Sequence, residues 1–143
     1  MAEEEISVGD FVSRLFAIKH KEITQDELLR YGHFRGWLED SDERFPQTPL
    51  NRQTAARIIH QFMKIECGLS DLSDITPALV LKDLYNCRVC TNHIAQVYTR
   101  KIMKGESDLL SGSDSPSIFF NHLALVSESE ALKILEELFK LIS

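Results

Sequence analysis

Most hydrophobic residues of this chain recur at helical spacing. After Asn51 and again after Ser127, apolar positions fall at i, i+3, i+4 and i+7, the pattern of a helix that buries one face. The first stretch contains Ala55, Ile58, Ile59, Phe62 and Met63, and the second contains Ala131, Ile134, Leu135, Leu138 and Ile142. A shorter version, with Phe11, Val12, Leu15 and Ile18, follows Ser7. These spacings predict three amphipathic helices.

Capping signals mark further helix starts. A Ser or Thr followed three residues later by Glu forms a capping box, and this occurs at Ser127 with Glu130 and at Thr24 with Glu27. Other starts are expected at Asn51, at Thr76 followed by Pro77, and at Thr91. The ranges 39–49 and 105–117 are rich in Pro, Gly, Ser and Asp and read as loops, and Ile118-Phe119-Phe120 is the one short strand signal. The prediction is a mainly α fold.

Length and charge narrow the class of protein. The 143 residues predict one domain, and 43% hydrophobic with 27% charged residues is a globular composition. A net charge of −6 without a basic stripe excludes nucleic acid as the main partner, although it leaves a local cationic pocket possible. No apolar run approaches the roughly 20 residues that span a bilayer. The start, Met-Ala-Glu-Glu-Glu, is unlike a signal peptide, so the protein is expected to be cytoplasmic unless its export signal lies elsewhere.

The three best helices share one register. Ile6, Leu50 and Val126 each precede a small polar residue, and apolar residues follow five, six and nine positions after each of them. Any three capped amphipathic helices can agree in this way, which is the alternative to a true repeat. Recurrence over tens of residues is otherwise typical of repeated supersecondary units that bury their faces against each other.

The motifs around these helices resemble S-layer homology repeats. Such repeats have a helix that ends in a Gly-containing turn, a loop with Phe-x-Pro, and a second helix that opens with Ile-Thr-Arg-Ala-Glu. The segments 101–105, 120–121 and 126–131 look like that pattern, and so does Pro49-Leu50-Asn51-Arg52-Gln53-Thr54-Ala55-Ala56. The resemblance implies a single helical domain over 1–143, with a partial repeat at 5–18 and fuller repeats at 20–68 and 70–143.

The resemblance also implies a function. Family members pack their repeats into a pseudo-threefold helical bundle that holds a protein on the Gram-positive cell surface by gripping an anionic, often pyruvylated, wall polysaccharide. The second-helix arginine contributes to that grip, and here only Arg52 occupies its position, while Val8 and Glu128 fill it in the other copies. Ligand-binding candidates are therefore Arg52, its neighbour Asn51, and Trp37 as a sugar-stacking ring. The alternatives are an exposed, unpartnered Arg52 and a core or rim Trp37.

The cysteines are the remaining candidate chemistry. Cys87-Arg88-Val89-Cys90 followed by His93 reads C-x2-C-x2-H, with Cys67 or His60 as a further zinc ligand. A structural zinc site usually combines two Cys-x2-Cys-like pairs of ligands, and only one such pair occurs here. Buried structural thiols are therefore the main expectation, with a disulfide or a metal site as alternatives. His60 and His93 are expected to be core or boundary residues. No phosphate-binding, dinucleotide-binding or hydrolase motif occurs.

These observations predict a non-catalytic module without a cofactor. The leading hypothesis is an S-layer-homology-like module that anchors or positions a larger cell-surface or secreted protein, with cell-wall polysaccharide as its partner. The rival hypothesis is a cytoplasmic helical adaptor whose partner is another protein. A zinc- or thiol-dependent enzyme is the third and weakest interpretation.

Overall fold

Helices dominate the computed structural model, which describes residues 4–17, 23–107 and 118–142. They are α1 (Val8–Phe16), α2 (Gln25–Arg35), α3 (Asp40–Arg44), α4 (Arg52–Ile65), α5 (Thr91–Thr99) and α6 (Glu128–Ile142). Two short strands, β1 (Glu106–Ser107) and β2 (Ile118–Phe119), pair antiparallel. The predicted mainly α bundle is confirmed. None of the helices in the described part of the chain is long and apolar enough to cross a membrane.

Side-chain caps begin four of these helices where the sequence predicted them. The side chains of Ser7, Thr24, Asn51 and Ser127 each accept a hydrogen bond from the backbone amide three residues further on, at 2.9–3.2 Å. Each cap satisfies one of the amides that a helix start leaves without an intrahelical partner. Polar caps and apolar periodicity therefore agree on where α1, α2, α4 and α6 begin.

The segments that enter α1, α4 and α6 meet in a closed ring of backbone hydrogen bonds. Leu50 N donates to Ile6 O at 2.9 Å, Ile6 N donates to Val126 O at 3.2 Å, and Val126 N donates to Leu50 O at 2.8 Å. All three side chains are buried. The three residues that the sequence comparison aligned are therefore the three that meet at the centre of the bundle.

A second tier of bonds repeats the same geometry two residues further along. Val8 N donates to Thr48 O, Arg52 N to Ala124 O, and Glu128 N to Glu4 O, each at 2.9 Å. The segments that accept the first two bonds are preceded in the chain by α2 and α5, which pack on α1 and α4 respectively. Each of those two central helices thus has one covering helix.

The structure differs from the sequence predictions in three places. The helix expected after Thr76 is only a 3-10 turn, Thr76–Val80, because the chain then turns to pair with β2: Lys82 N donates to Ile118 O at 2.8 Å. Thr91 is the first residue of α5 rather than its cap. The polar range 39–49 contains α3, which Glu39 and Asp42 cap. Ile18 and most of the predicted loop at 105–117 lie outside the described residues.

Candidate functional site

A polar cleft of about 370 Å³ lies along the first half of α4. Its walls come from α3 and the loop that follows it, from α4, and from the turn that leads into α5. We call it the α4 cleft. The cleft is lined by Val8, Glu39, Ser41, Asp42, Phe45, Thr48, Pro49, Asn51, Gln53, Thr54, Arg57, Cys87, Val89, Cys90 and His93.

A neutralised arginine forms part of one wall of the cleft. Arg57 donates to both carboxylate oxygens of Asp42, at 2.8 and 2.9 Å, and Asp42 is buried. Glu39 approaches the same guanidinium at 3.6 Å, and its backbone amide donates to Asp42 Oδ2. Since two carboxylates face one guanidinium, this wall carries no surplus positive charge for an anionic ligand.

A chain of three side chains leads from the protein surface to the cleft. His60 Nε2 lies 2.7 Å from Asp71 Oδ1, and His60 Nδ1 lies 2.7 Å from Nδ1 of His93, which lines the cleft. Burial first, and then electrostatic interactions with His60 and Arg57, lower the pKa of His93 to about 4. At neutral pH His93 is therefore an uncharged imidazole, and one proton between the two Nδ1 atoms joins the rings.

Asp71, at the surface end of this series of three side chains, stays ionised. Burial would raise the pKa of Asp71, but hydrogen bonds from His60 and Asn92 outweigh burial, so this pKa lies below its ordinary value. A carboxylate that accepts from His60 fixes the orientation of that ring and, through it, the orientation of His93. The arrangement makes His93 a fixed, neutral hydrogen-bonding group in the cleft wall.

Cys87 and Cys90, which also line the cleft, are joined by a disulfide. The main expectation of buried structural thiols is therefore wrong, and the disulfide alternative is the observed one. Thr91 Oγ1 donates to the carbonyl oxygens of Leu84 and Cys87 and holds the turn in place. The sequence did not reveal the pairing because a C-x2-C spacing is compatible with two thiols, with a disulfide and with a zinc site.

No metal-binding group of three or more His, Cys, Asp or Glu side chains occurs in the ranges that the structure describes. Cys87 and Cys90, two of the weak zinc candidates, are engaged with each other, and His93 is engaged with His60. Cys67 is half-buried and lies outside the disulfide. The residues of the C-x2-C-x2-H motif therefore act here as cleft lining.

Arg52 lies in the interior instead of on the surface. It is only 4% exposed, its Nε donates to Phe120 O at 2.7 Å, and its guanidinium also pairs with Glu130 and with Lys104 O. The same group stacks 4.5 Å from the centre of the Phe120 ring. This corrects the alternative of an exposed, unpartnered arginine. An anionic ligand at Arg52 would have to displace Glu130.

Trp37 is a core residue. It is 1% exposed, and its ring packs between Phe16 and Phe62 with centroids 6.1 and 5.2 Å away. Its Nε1 donates to Glu66 at 3.2 Å. No ring face is available for a sugar, so the core alternative replaces the sugar-stacking one. Of the ligand-binding candidates Arg52, Trp37 and Asn51, only Asn51 lies at the α4 cleft, where its side chain caps α4.

Sequence reasoning missed the exposed apolar residues of the cleft. Phe45, which is 61% exposed, and Val89 line it together with hydroxyl and amide side chains such as Thr48, Thr54 and Gln53. Phe45 precedes Pro46 in a polar segment, and an aromatic residue in such a loop was the available signal. The cleft thus offers hydrogen-bonding groups with an apolar ring beside them.

Comparison with known proteins adds no family. No protein-family model matches the chain. No curated protein matches it with significant similarity either. The resemblance to S-layer homology repeats therefore rests on the sequence motifs described above.

Proposed function

We propose that this protein is a non-catalytic, S-layer-homology-like module that positions a larger cell-surface protein by binding cell-wall polysaccharide in the α4 cleft. The observation that carries the proposal is the lining of that cleft, which combines hydroxyl, amide and neutral imidazole groups with the exposed ring of Phe45. Such a surface suits sugars, which present hydroxyl groups around apolar ring faces. The ring of bonds among α1, α4 and α6 supports the repeat architecture.

The electrostatics favour an uncharged stretch of glycan. Arg52 is paired with Glu130, Arg57 is paired with Asp42, and His93 is neutral. Without a surplus cation in the cleft, a pyruvylated or phosphorylated sugar gains no ion pair there and approaches Glu39 and Asp42 unfavourably. We therefore propose neutral or amino sugars as the bound units, which departs from the anionic ligand that the family resemblance implies.

The test is cosedimentation of the protein with purified sacculi and with purified wall polysaccharide, using a matched pair of variants. Phe45→Ala removes the cleft ring, and Phe34→Ala removes a phenylalanine that is 89% exposed and does not line the cleft. If ligand binding buries about half of the Phe45 ring, Phe45→Ala loses roughly 1.5 kcal/mol of binding free energy and weakens binding about tenfold. Phe34→Ala is expected to bind like the parent chain.

Two results would count against this function. Equal binding by the parent and by Phe45→Ala would remove the α4 cleft as the site. Binding that disappears when acidic substituents are stripped from the polysaccharide would show that an anionic group is recognised after all. An adaptor that binds another protein is the second candidate, and the half-exposed apolar side chains of Leu132 and Phe139 on α6 favour it.

A further inference from the structure

One side of α6 carries apolar side chains that nothing covers in the described parts of the chain. Leu132 is 57% exposed and Phe139 is 50% exposed, one on each side of Leu135 along the helix. Together with Glu136 and Lys140 they line a shallow groove of about 360 Å³. We call these five residues the α6 patch. Apolar side chains grouped on one helix face, unlike scattered ones, mark a surface that another element covers.

The equivalent side of the other two central helices is covered. Counted from the capping residue of each helix, Leu132 occupies the position of Val12 in α1 and of Ala56 in α4. Both of those residues are fully buried. The three helix starts form one hydrogen-bonded ring, so equal helix positions face equivalent directions around the bundle. Leu132 therefore lies on a packing side of the bundle, yet it is 57% exposed and no helix of the described ranges packs over it.

The contacts of α1 and α4 one turn further along show which kind of element packs over this side of each helix. Glu136 of the α6 patch corresponds to Phe16 in α1 and to His60 in α4. Phe16 packs edge-on against Tyr31 of α2 at 5.5 Å, and His60 Nδ1 lies 2.7 Å from Nδ1 of His93 in α5. On both helices this side is thus occupied by a second helix. The same geometry at α6 calls for a helix as well.

We propose that the α6 patch is a docking site for one amphipathic helix of a partner polypeptide, the counterpart of α2 and α5. Its apolar side covers Leu132 and Phe139, and a Lys or Arg near the middle of the helix meets Glu136. A second copy docked about a twofold axis centred on Glu136, the middle residue of the patch, would place Glu136 against the Glu136 of that copy, which charge repulsion disfavours. The docking site does not depend on glycan binding in the α4 cleft.

The test uses a helical probe in trans. The probe is a fluorescein-labelled peptide with the sequence of residues 23–38, which contains α2 and two arginines, stapled so that it is helical before it binds. Fluorescence anisotropy with the whole chain is expected to show saturable binding. Leu132→Ala combined with Phe139→Ala is expected to weaken it about thirtyfold, since two half-exposed side chains lose their burial.

Two controls separate this site from other surfaces. Leu123→Ala removes a leucine that is 65% exposed but lies outside α6, and it should leave the affinity unchanged. Glu136→Lys should weaken binding several-fold at low salt and less at high salt. Neither patch variant should alter polysaccharide binding, which keeps this proposal separate from the one for the α4 cleft.

Failure is recognisable in either of two ways. If the stapled probe does not bind, or binds the double variant as tightly as the parent chain, the α6 patch is not a helix-docking site. If sedimentation equilibrium shows a dimer that the double variant abolishes, the occupant is a second copy and the proposal of a partner helix is overturned.

Discussion

Replacement of Arg52 by alanine separates an internal structural role from a ligand-binding one. In the structure the guanidinium joins the start of α4 to three other places in the chain: the carbonyl oxygens of Lys104 and Phe120, and the carboxylate of Glu130 in α6. The Phe120 ring packs against its face. Arg52→Ala removes all of these contacts together.

The expected cost follows from burial. Removal of one partner from a buried ion pair costs about 3–5 kcal/mol of unfolding free energy. The Glu130 side chain is 29% exposed and is rehydrated in part, so the ion-pair loss lies at or below the low end of that range. Two carbonyl groups also lose a donor, at about 1 kcal/mol each where water does not replace it. We expect a total loss of about 3 kcal/mol.

Urea unfolding followed by far-ultraviolet circular dichroism measures this loss. With a slope of about 2 kcal/mol per molar urea, a loss of that size lowers the midpoint by about 1.5 M. Arg52→Lys keeps the charge but not the forked hydrogen bonds, so its midpoint should fall between those of the parent and of Arg52→Ala. Arg30→Ala, at an exposed arginine of α2, should change stability by less than about 0.5 kcal/mol.

A different pattern would refute the reasoning. If Arg52→Ala unfolds within about 0.5 kcal/mol of the parent chain and at the same time no longer binds wall polysaccharide, the arginine contacts the ligand. The ion pair with Glu130 would then contribute little to the fold. Equal polysaccharide binding by both proteins at a temperature where both are folded would agree with the structural role.

Three further changes test other parts of the structure. The pKa of His93 is about 4 in the folded state and 6.5 in the unfolded chain, so the unfolded state binds more protons between these two pH values. The free energy of unfolding should therefore fall by about 1–2 kcal/mol, after allowance for solvent screening, as the pH is lowered from 7 to 4. His93→Gln should make this fall smaller. Reduction of the Cys87–Cys90 disulfide should lower the free energy of unfolding, measured in urea, by about 2 kcal/mol, as expected for a four-residue loop. Cys67→Ser should leave this effect of the reductant unchanged. Ser127→Ala removes the cap of α6 and should lower the free energy of unfolding by about 1 kcal/mol, and an unchanged midpoint would show that the cap contributes nothing.

Local signals predicted the helices well because the interactions that start and orient a helix are close in sequence. Ser7, Thr24, Asn51 and Ser127 each cap a helix through an amide three residues away. Thr76 followed by Pro77 was a local signal of the same kind, but the helix that it predicted is only a 3-10 turn. There the chain pairs with Ile118, more than thirty residues later, and that pairing ends the 3-10 turn before it extends.

The candidate site was predicted less well because its chemistry depends on distant partners. Arg52 was singled out from its place in a motif, yet its role is set by Glu130 and Phe120, which lie more than sixty residues away. Trp37 was a candidate sugar-stacking ring, but in the structure Phe16 and Phe62 pack against it. No property of the residues next to either of them indicates that burial.

By itself the sequence determined the helical class, four helix starts and the common register of Ile6, Leu50 and Val126, since periodicity and capping act within a few residues. Only the tertiary structure decided that Arg52 is internal, that Phe45 lies at a polar cleft, and that Leu132 is exposed while Val12 and Ala56 are buried. The physical reason is the same in each case. Charge neutralisation and burial depend on which other segment lies against a side chain, and the ring of hydrogen bonds among α1, α4 and α6 sets that arrangement.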